Sequence, residues 1–249
     1  MNSFENPYFN PEAKIESTRR YEASPIIAGE IFESRTVFER PITPDTRICL
    51  VGDGQGMDTK LFREMGVKSE NISSVNYEQE EVSAANEGVL KDTGVKMRQG
   101  DATNRDSLKE AGIEEGDYDL VTLMHVLEVP PIKGEAERSL VENVHAILKK
   151  DGELLVTQYK HKFTRDERDI QKQNGIEEIT RDSLVQRYGN DAWEERFFEE
   201  NGVRWEEGMR YGEISNVRSK DELIRLFEPY FEVRCEETDH EYVLKMKKK

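Results

Sequence analysis

The chain contains little cysteine and no long apolar segment. Its two cysteines, Cys49 and Cys235, do not make a disulfide framework, and no Cys/His spacing typical of a metal site is present. No apolar run approaches the roughly 18 residues of a membrane-spanning helix. The N-terminal segment lacks the basic and apolar regions of a secretory signal. We therefore expect a cytoplasmic protein that binds no metal and no membrane.

Positive charge is also in the minority. The 249 residues include 36 Lys and Arg against 52 Asp and Glu, which gives a formal net charge of −16. Because phosphate polymers and anionic lipid surfaces both require a basic footprint, this balance argues against a nucleic-acid or membrane partner. A chain of this length suits one large domain or one domain with an embedded cap.

Short apolar runs alternate with amphipathic stretches from residue 45 onward. The pattern predicts strands at 47–51, 72–76, 95–98, 118–124 and 153–158, and helices near 57–65, 79–92, 105–111 and 134–149. Nearly continuous apolar strands are typical of a parallel sheet that is covered on both faces. The predicted fold class is therefore α/β, with a mostly parallel Rossmann-like sheet and helices on both faces.

The remaining segments have their own patterns. Residues 1–44 are punctuated by prolines and predict a helical N-terminal extension, so that the domain itself spans 45–249. Residues 160–217 are charged and aromatic and predict a helical cap insert. A capping box at Ser219 opens a further helix. Strands at 230–235 and 241–246 predict an antiparallel C-terminal hairpin, followed by a frayed lysine tail.

A glycine-rich turn, Gly52-Asp-Gly-Gln-Gly56, lies between the first strand and the first helix of this domain. Glycines let the backbone approach a ligand, and a helix N-terminus offers N–H groups to an anion. The turn therefore predicts a nucleotide-like cofactor at the carboxyl edge of the sheet, the alternative being a glycine turn without a ligand. The dinucleotide spacing G-x-G-x-x-G is not met, and no Walker-type lysine follows.

Further motifs follow in a fixed order. They are Val75-Asn-Tyr77, Gly100-Asp-Ala102, the run from Tyr118 to Glu128, and the run from Leu148 to Leu155. Together with the spacing G-x-G-x-G, they resemble the class I S-adenosylmethionine-dependent methyltransferases. Two positions depart from that family, because Leu50 and Asn76 stand where it commonly has acidic residues. Glu78 is a candidate to replace the second of these acids.

The resemblance implies a role for each motif. The glycine turn would receive the methionyl carboxylate, Asn76 the ribose, and Tyr77 the face of the adenine. Asp101 would accept a hydrogen bond from the adenine amino group and Ala102 would donate one. The implied S-adenosylmethionine-binding residues are Gly52, Asp53, Gly54, Gly56, Asn76, Tyr77, Asp101, Ala102, Met124 and His125.

Methyl transfer from a sulfonium is an in-line displacement, so a general base is needed only if the acceptor atom carries a proton. His125 is the first candidate base and Tyr159 the second, with a pocket-shaping role as the alternative for His125. His145, within the long helix, is predicted to be a packing or surface residue. The acceptor is predicted to be a small molecule. Two other functions stay open: a non-catalytic S-adenosylmethionine-binding regulator and a nicotinamide-dependent oxidoreductase.

Overall fold

The computed structural model describes residues 38, 40–128, 132, 134–159, 209–210, 213–214, 218–238 and 241–249. Most of the predicted N-terminal extension and most of the predicted cap insert lie outside these residues. The described pieces of the cap, Met209–Arg210 and Glu213–Ile214, pair as two short antiparallel strands, where the sequence predicted helices and loops. Within the described ranges, no helix has the length and apolarity needed to cross a bilayer.

The elements of the domain alternate as predicted. The strands are β1 (Ile48–Val51), β2 (Ile72–Asn76), β3 (Met97–Gln99), β4 (Tyr118–Met124), β5 (Leu148–Tyr159), β6 (Met209–Arg210), β7 (Glu213–Ile214), β8 (Phe231–Glu237) and β9 (Glu241–Lys248). The α-helices are α1 (Met57–Glu64), α2 (Gln79–Glu87), α3 (Arg105–Glu110), α4 (Glu135–Ile147) and α5 (Lys220–Phe227).

The main sheet has seven strands in the order β3-β2-β1-β4-β5-β9-β8. Strands β1 to β5 pair in parallel, whereas β9 runs antiparallel to both β5 and β8. The fully parallel dinucleotide fold has the order 3-2-1-4-5-6, so the antiparallel strand inserted beside β5 separates this sheet from that fold. The predicted fold class, with its C-terminal hairpin, is confirmed.

The sheet is covered on both faces because each strand sends alternate side chains to opposite sides. On β1, Cys49 and Val51 pack with residues of α4 and α5. Ile48 and Leu50 pack on the other face, with Phe62 of α1. This arrangement puts the carboxyl ends of β1 to β5 on one edge, where the predicted site residues lie.

Several boundaries differ from the prediction, and β5 begins at Leu148, five residues before the predicted strand and within the predicted helix near 134–149. Helix α2 ends at Glu87, because Gly88 leaves the helical region with φ −105° and ψ −104°. The lysine tail is not frayed: Lys247 pairs with β5, and Lys248 Nζ donates to the carbonyl oxygens of His145 and Leu148. A lysine at the end of α4 satisfies carbonyl groups that the helix leaves without partners.

Candidate cofactor and acceptor site

The glycine turn is shaped by three left-handed residues at the carboxyl end of β1. Gly52, Gly54 and Gly56 have φ of +72°, +53° and +86°. A Cβ at Gly52 would lie 2.5 Å from Cγ2 of Val126, and one at Gly56 would lie 2.7 Å from Cγ of Leu90. A Cβ at Gly54 would meet nothing within 4 Å. Packing therefore requires glycine at 52 and 56, while Gly54 faces open space that a bound cofactor can fill.

The side chain of Asp53 turns into the protein. Its carboxylate oxygens accept hydrogen bonds from the backbone N–H groups of Asp58 and Thr59, at 3.2 Å each, and from the Ser74 hydroxyl. Burial and the negative charge of Asp58 raise the pKa of Asp53 to about 7. Asp53 therefore caps the start of α1 and gives the turn less negative charge than a surface aspartate would. Its predicted contact with the cofactor stays a prediction.

The middle of the turn retains hydrogen-bonding capacity. Gly52 N–H donates to the Val75 carbonyl and Gly56 N–H to the Asp53 carbonyl, both at 2.8 Å. The N–H groups of Gly54 and Gln55 have no acceptor among the described residues. Backbone donors beside open space suit an anionic group such as the methionyl carboxylate.

Asn76 connects the end of β2 to the glycine turn and to α2. Its Nδ2 donates to Oε2 of Glu81 at 2.7 Å and to the Gly54 carbonyl at 3.3 Å. Its Oδ1 accepts from the Glu78 N–H at 3.2 Å. Glu81 was not among the predicted residues, although its place in the first turn of α2, just after the strand end, was a usable signal. Glu78, the predicted substitute, contacts Asn76 through its backbone N–H.

Tyr77 and the loop after β3 border the same edge. Tyr77 is 65% exposed, so it is not part of the hydrophobic core. Asp101 Oδ1 accepts from the Thr103 N–H at 2.8 Å and from its hydroxyl at 2.7 Å. The Ala102 carbonyl accepts from Asn143 Nδ2 at 2.9 Å. This loop is therefore held in shape by hydrogen bonds within the protein.

His125 lies directly after β4 with a left-handed backbone, φ +59°. Its Nδ1 lies 2.8 Å from Oε1 of Glu128, so a proton on Nδ1 is donated to that carboxylate. Its Nε2 lies 3.5 Å from the Thr157 hydroxyl and 3.5 Å from Oε1 of Glu241. The His125 side chain is 25% exposed, whereas the side chains of Glu128 and Glu241 are 11% and 8% exposed. A partly exposed imidazole is thus held between two buried carboxylates.

Other predicted residues lie around this histidine. Met124 is buried, and its sulfur lies 3.9 Å from the Thr157 hydroxyl. Tyr159 ends β5 and is paired in register with Glu241 of β9, so its backbone lies at the same edge. The sequence analysis did not identify Glu241, because the hairpin that contains it is remote in sequence from β4. The described residues contain no group of three His, Cys, Asp or Glu side chains that could hold a metal ion.

Arg218 fixes the segment that follows β4. Its side chain is 8% exposed, and its Nε lies 2.6 Å from Oε1 of Glu137 on α4. Its two terminal nitrogens donate to the carbonyl oxygens of Leu127 and Ile132, at 2.5 and 2.9 Å. Because Leu127 immediately precedes Glu128, Arg218 stabilises the backbone that orients His125.

Comparison with known proteins agrees with the fold described above. Residues 50–156 match the family described as "Methyltransferase domain". The PH0226 protein from Pyrococcus horikoshii has a similar fold, with a TM-score of 0.63, 14% identity, and coverage of 97% of this chain and 100% of that one. A SAM dependent methyltransferase from Aquifex aeolicus has a TM-score of 0.57 and 12% identity, with coverage of 97% of this chain and 100% of that one. PigF with SAH has a TM-score of 0.58 and 14% identity, with coverage of 98% of this chain and 62% of that one. No curated protein sequence matches the chain.

The sheet order and the family match agree with each other: both indicate a methyltransferase-type fold. Over residues 50–156 the chain is similar to the methyltransferase-domain family, and its sheet has the Rossmann-like α/β fold of the methyltransferases. The antiparallel strand beside β5 argues against the nicotinamide-dependent oxidoreductase alternative.

Proposed function

We propose that the chain methylates a small-molecule acceptor and uses S-adenosylmethionine as its cofactor. The cofactor would lie along the glycine turn, Asn76, Tyr77 and the Asp101–Ala102 loop. The open space at Gly54 and the N–H groups of Gly54 and Gln55 support this placement. When bound, S-adenosylmethionine supplies an electrophilic methyl group. PigF, one of the structural neighbours, was solved with SAH, which makes that compound the natural probe.

The packing of Val126 on Gly52 is the observation that carries the proposal. Because a Cβ at Gly52 would meet Val126 at 2.5 Å, the segment after β4 rests directly on the glycine turn. His125 is the preceding residue, so its imidazole borders the cofactor side and the acceptor side together. An acceptor atom that carries a proton would find a base at the place where the methyl group must be received.

The hydrogen bonds of His125 suit it to act as that base. Glu128 accepts from Nδ1, which fixes the tautomer and leaves Nε2 to take the proton. The imidazolium that forms would then face Glu128 on one side and Glu241 on the other, 3.5 Å from Nε2. Tyr159, paired with Glu241 at the end of β5, is proposed as the second residue on the acceptor side. The net charge of −16 supports a small acceptor over a nucleic acid, and the low cysteine content supports a cytoplasmic setting.

The experiment compares H125N with wild type. Asparagine tolerates a left-handed backbone, so the variant should keep the turn after β4 while losing the imidazole. We expect affinity for S-adenosylhomocysteine within about twofold of wild type, and transfer of labelled methyl to small amines, phenols or thiols slower by about 10²- to 10⁴-fold. The matched control is H145N, at the packing histidine, which should keep transfer. Equal transfer rates for H125N and wild type would refute the role of His125.

A further inference from the structure

We propose that Glu81 supplies the carboxylate that binds the ribose hydroxyl groups of the cofactor, and that Asn76 holds this carboxylate in position. The inference rests on the proposed cofactor placement. It starts from the end of β2, where the side chain that faces the glycine turn is the neutral Asn76 and a carboxylate reaches it from the neighbouring helix.

Asn76 is itself poorly suited to receive two hydroxyl groups. Its only acceptor atom, Oδ1, already accepts from the Glu78 N–H at 3.2 Å. Its amide nitrogen is a donor, directed to the Gly54 carbonyl and to Glu81. A buried side chain that makes three hydrogen bonds is fixed in one orientation, so Asn76 serves as a support and leaves the acceptor role to another group.

Glu81 has the chemistry that a vicinal diol requires. A carboxylate has two oxygens and about four acceptor positions, so it can accept hydrogen bonds from Asn76 and from hydroxyl groups at the same time. Hydrogen bonds from hydroxyl groups to an ionised carboxylate are stronger than those to a neutral amide. Because Asn76 contacts both Gly54 and Glu81, the carboxylate is tied to the stretch of the turn where open space begins.

Glu80 provides a matched control. It neighbours Glu81 in the same turn of α2, carries the same charge and is exposed. Comparison of E81Q with E80Q therefore separates a specific contact from the general loss of one negative charge. Glutamine at 81 can still accept from Asn76, so the packing of the pair is preserved while the charge is removed.

The measurement is calorimetric titration of the full chain with S-adenosylhomocysteine and with its 2′-deoxyribose analogue. We expect E81Q to bind S-adenosylhomocysteine about 10- to 100-fold more weakly than wild type, and E80Q to bind it within about twofold. The 2′-deoxy analogue should bind wild type more weakly and should bind E81Q with little further loss, because the missing hydroxyl and the missing carboxylate are partners.

A rescue variant adds a second criterion. N76D combined with E81Q exchanges the carboxylate and the amide between strand and helix, and it should recover most of the affinity that E81Q loses. The inference is overturned if E81Q binds S-adenosylhomocysteine as tightly as wild type. It is also overturned if E81Q weakens the binding of S-adenosylhomocysteine and of the 2′-deoxy analogue by the same factor, whether or not the variant has a lower Tm. Failure of the wild-type chain to bind S-adenosylhomocysteine would instead overturn the cofactor placement itself.

Discussion

The two ends of the candidate site are built by different means. On the cofactor side, the turn from Gly52 to Gly56 offers backbone N–H groups, left-handed glycines and an open space. On the acceptor side, the edge of β4, β5 and β9 offers side chains, with His125 between the buried carboxylates of Glu128 and Glu241. One half therefore depends on the shape of a short segment, and the other on long-range packing.

This difference explains how each side would respond to mutation. A backbone cradle is blocked by any side chain that enters it, and its hydrogen bonds survive most substitutions elsewhere. A cluster of buried charges keeps its geometry only while every partner is present, since an isolated buried charge is costly. The predictions below separate these two behaviours.

The largest expected effect is at Gly54. G54V should abolish binding of S-adenosylhomocysteine, because the new side chain would occupy the open space, while the left-handed backbone would cost about 1–2 kcal/mol of stability. G66V is the control, since Gly66 also has a left-handed φ, +92°, and open space at its Cβ, in the loop after α1. Titration calorimetry and urea unfolding measure both effects. Equal affinities of G54V and G66V for S-adenosylhomocysteine would contradict the binding of the cofactor at the Gly52–Gly56 turn.

The acceptor side should be most sensitive at Arg218. R218A leaves Glu137 without its partner and frees the carbonyl oxygens of Leu127 and Ile132, so we expect a loss of about 3–5 kcal/mol in the free energy of unfolding. R225A, on the exposed side of α5, should change stability by less than about 0.5 kcal/mol. Equal free energies of unfolding for R218A and R225A in urea would contradict the stabilising role of Arg218.

Substitution of Asp101 should have a smaller effect on cofactor binding. D101A should weaken binding of S-adenosylhomocysteine by about 1–3 kcal/mol, the contribution of a hydrogen bond that involves a charged group. Its control is D106A, at an exposed position in the first turn of α3. If the affinities of D101A and wild type are indistinguishable, the adenine does not lie at the loop after β3.

The smallest expected effect is on the pH dependence of stability and comes from His145, which lies outside both the cofactor side and the acceptor side. Its ring packs 5.5 Å from the ring of Tyr230 and 5.6 Å from that of Phe231, and desolvation followed by the charge of Lys248 lowers its pKa. Because the folded state resists protonation of this ring, its stabilising contribution is present above the unfolded pKa of about 6.5 and is lost on acidification below it. H145Q should therefore lose less stability than wild type between about pH 7.5 and 5.5 in urea titrations. Parallel pH profiles would contradict this assignment.

The sequence predicted the local elements around the candidate site more completely than its long-range contacts. The glycine turn, the strand at 72–76 and the cap at Ser219 are local patterns, and each is in the predicted place. Glu241 was missed because it reaches His125 only through the pairing of β9 with β5. Glu81 was missed because a contact between a strand end and the following helix depends on side-chain direction. Gly88, which ends α2 early, shows that a single residue can override a longer helical pattern.

A crystal structure of the chain with S-adenosylhomocysteine tests the central claim most directly. We expect the amino-acid portion on the Gly52–Gly56 turn, the ribose beside Asn76 and Glu81, and the sulfur toward His125. Clear density for the ligand at any other edge of the sheet, or a side chain of the protein filling the space above Gly54, would contradict the division of the site into a backbone-built and a side-chain-built half.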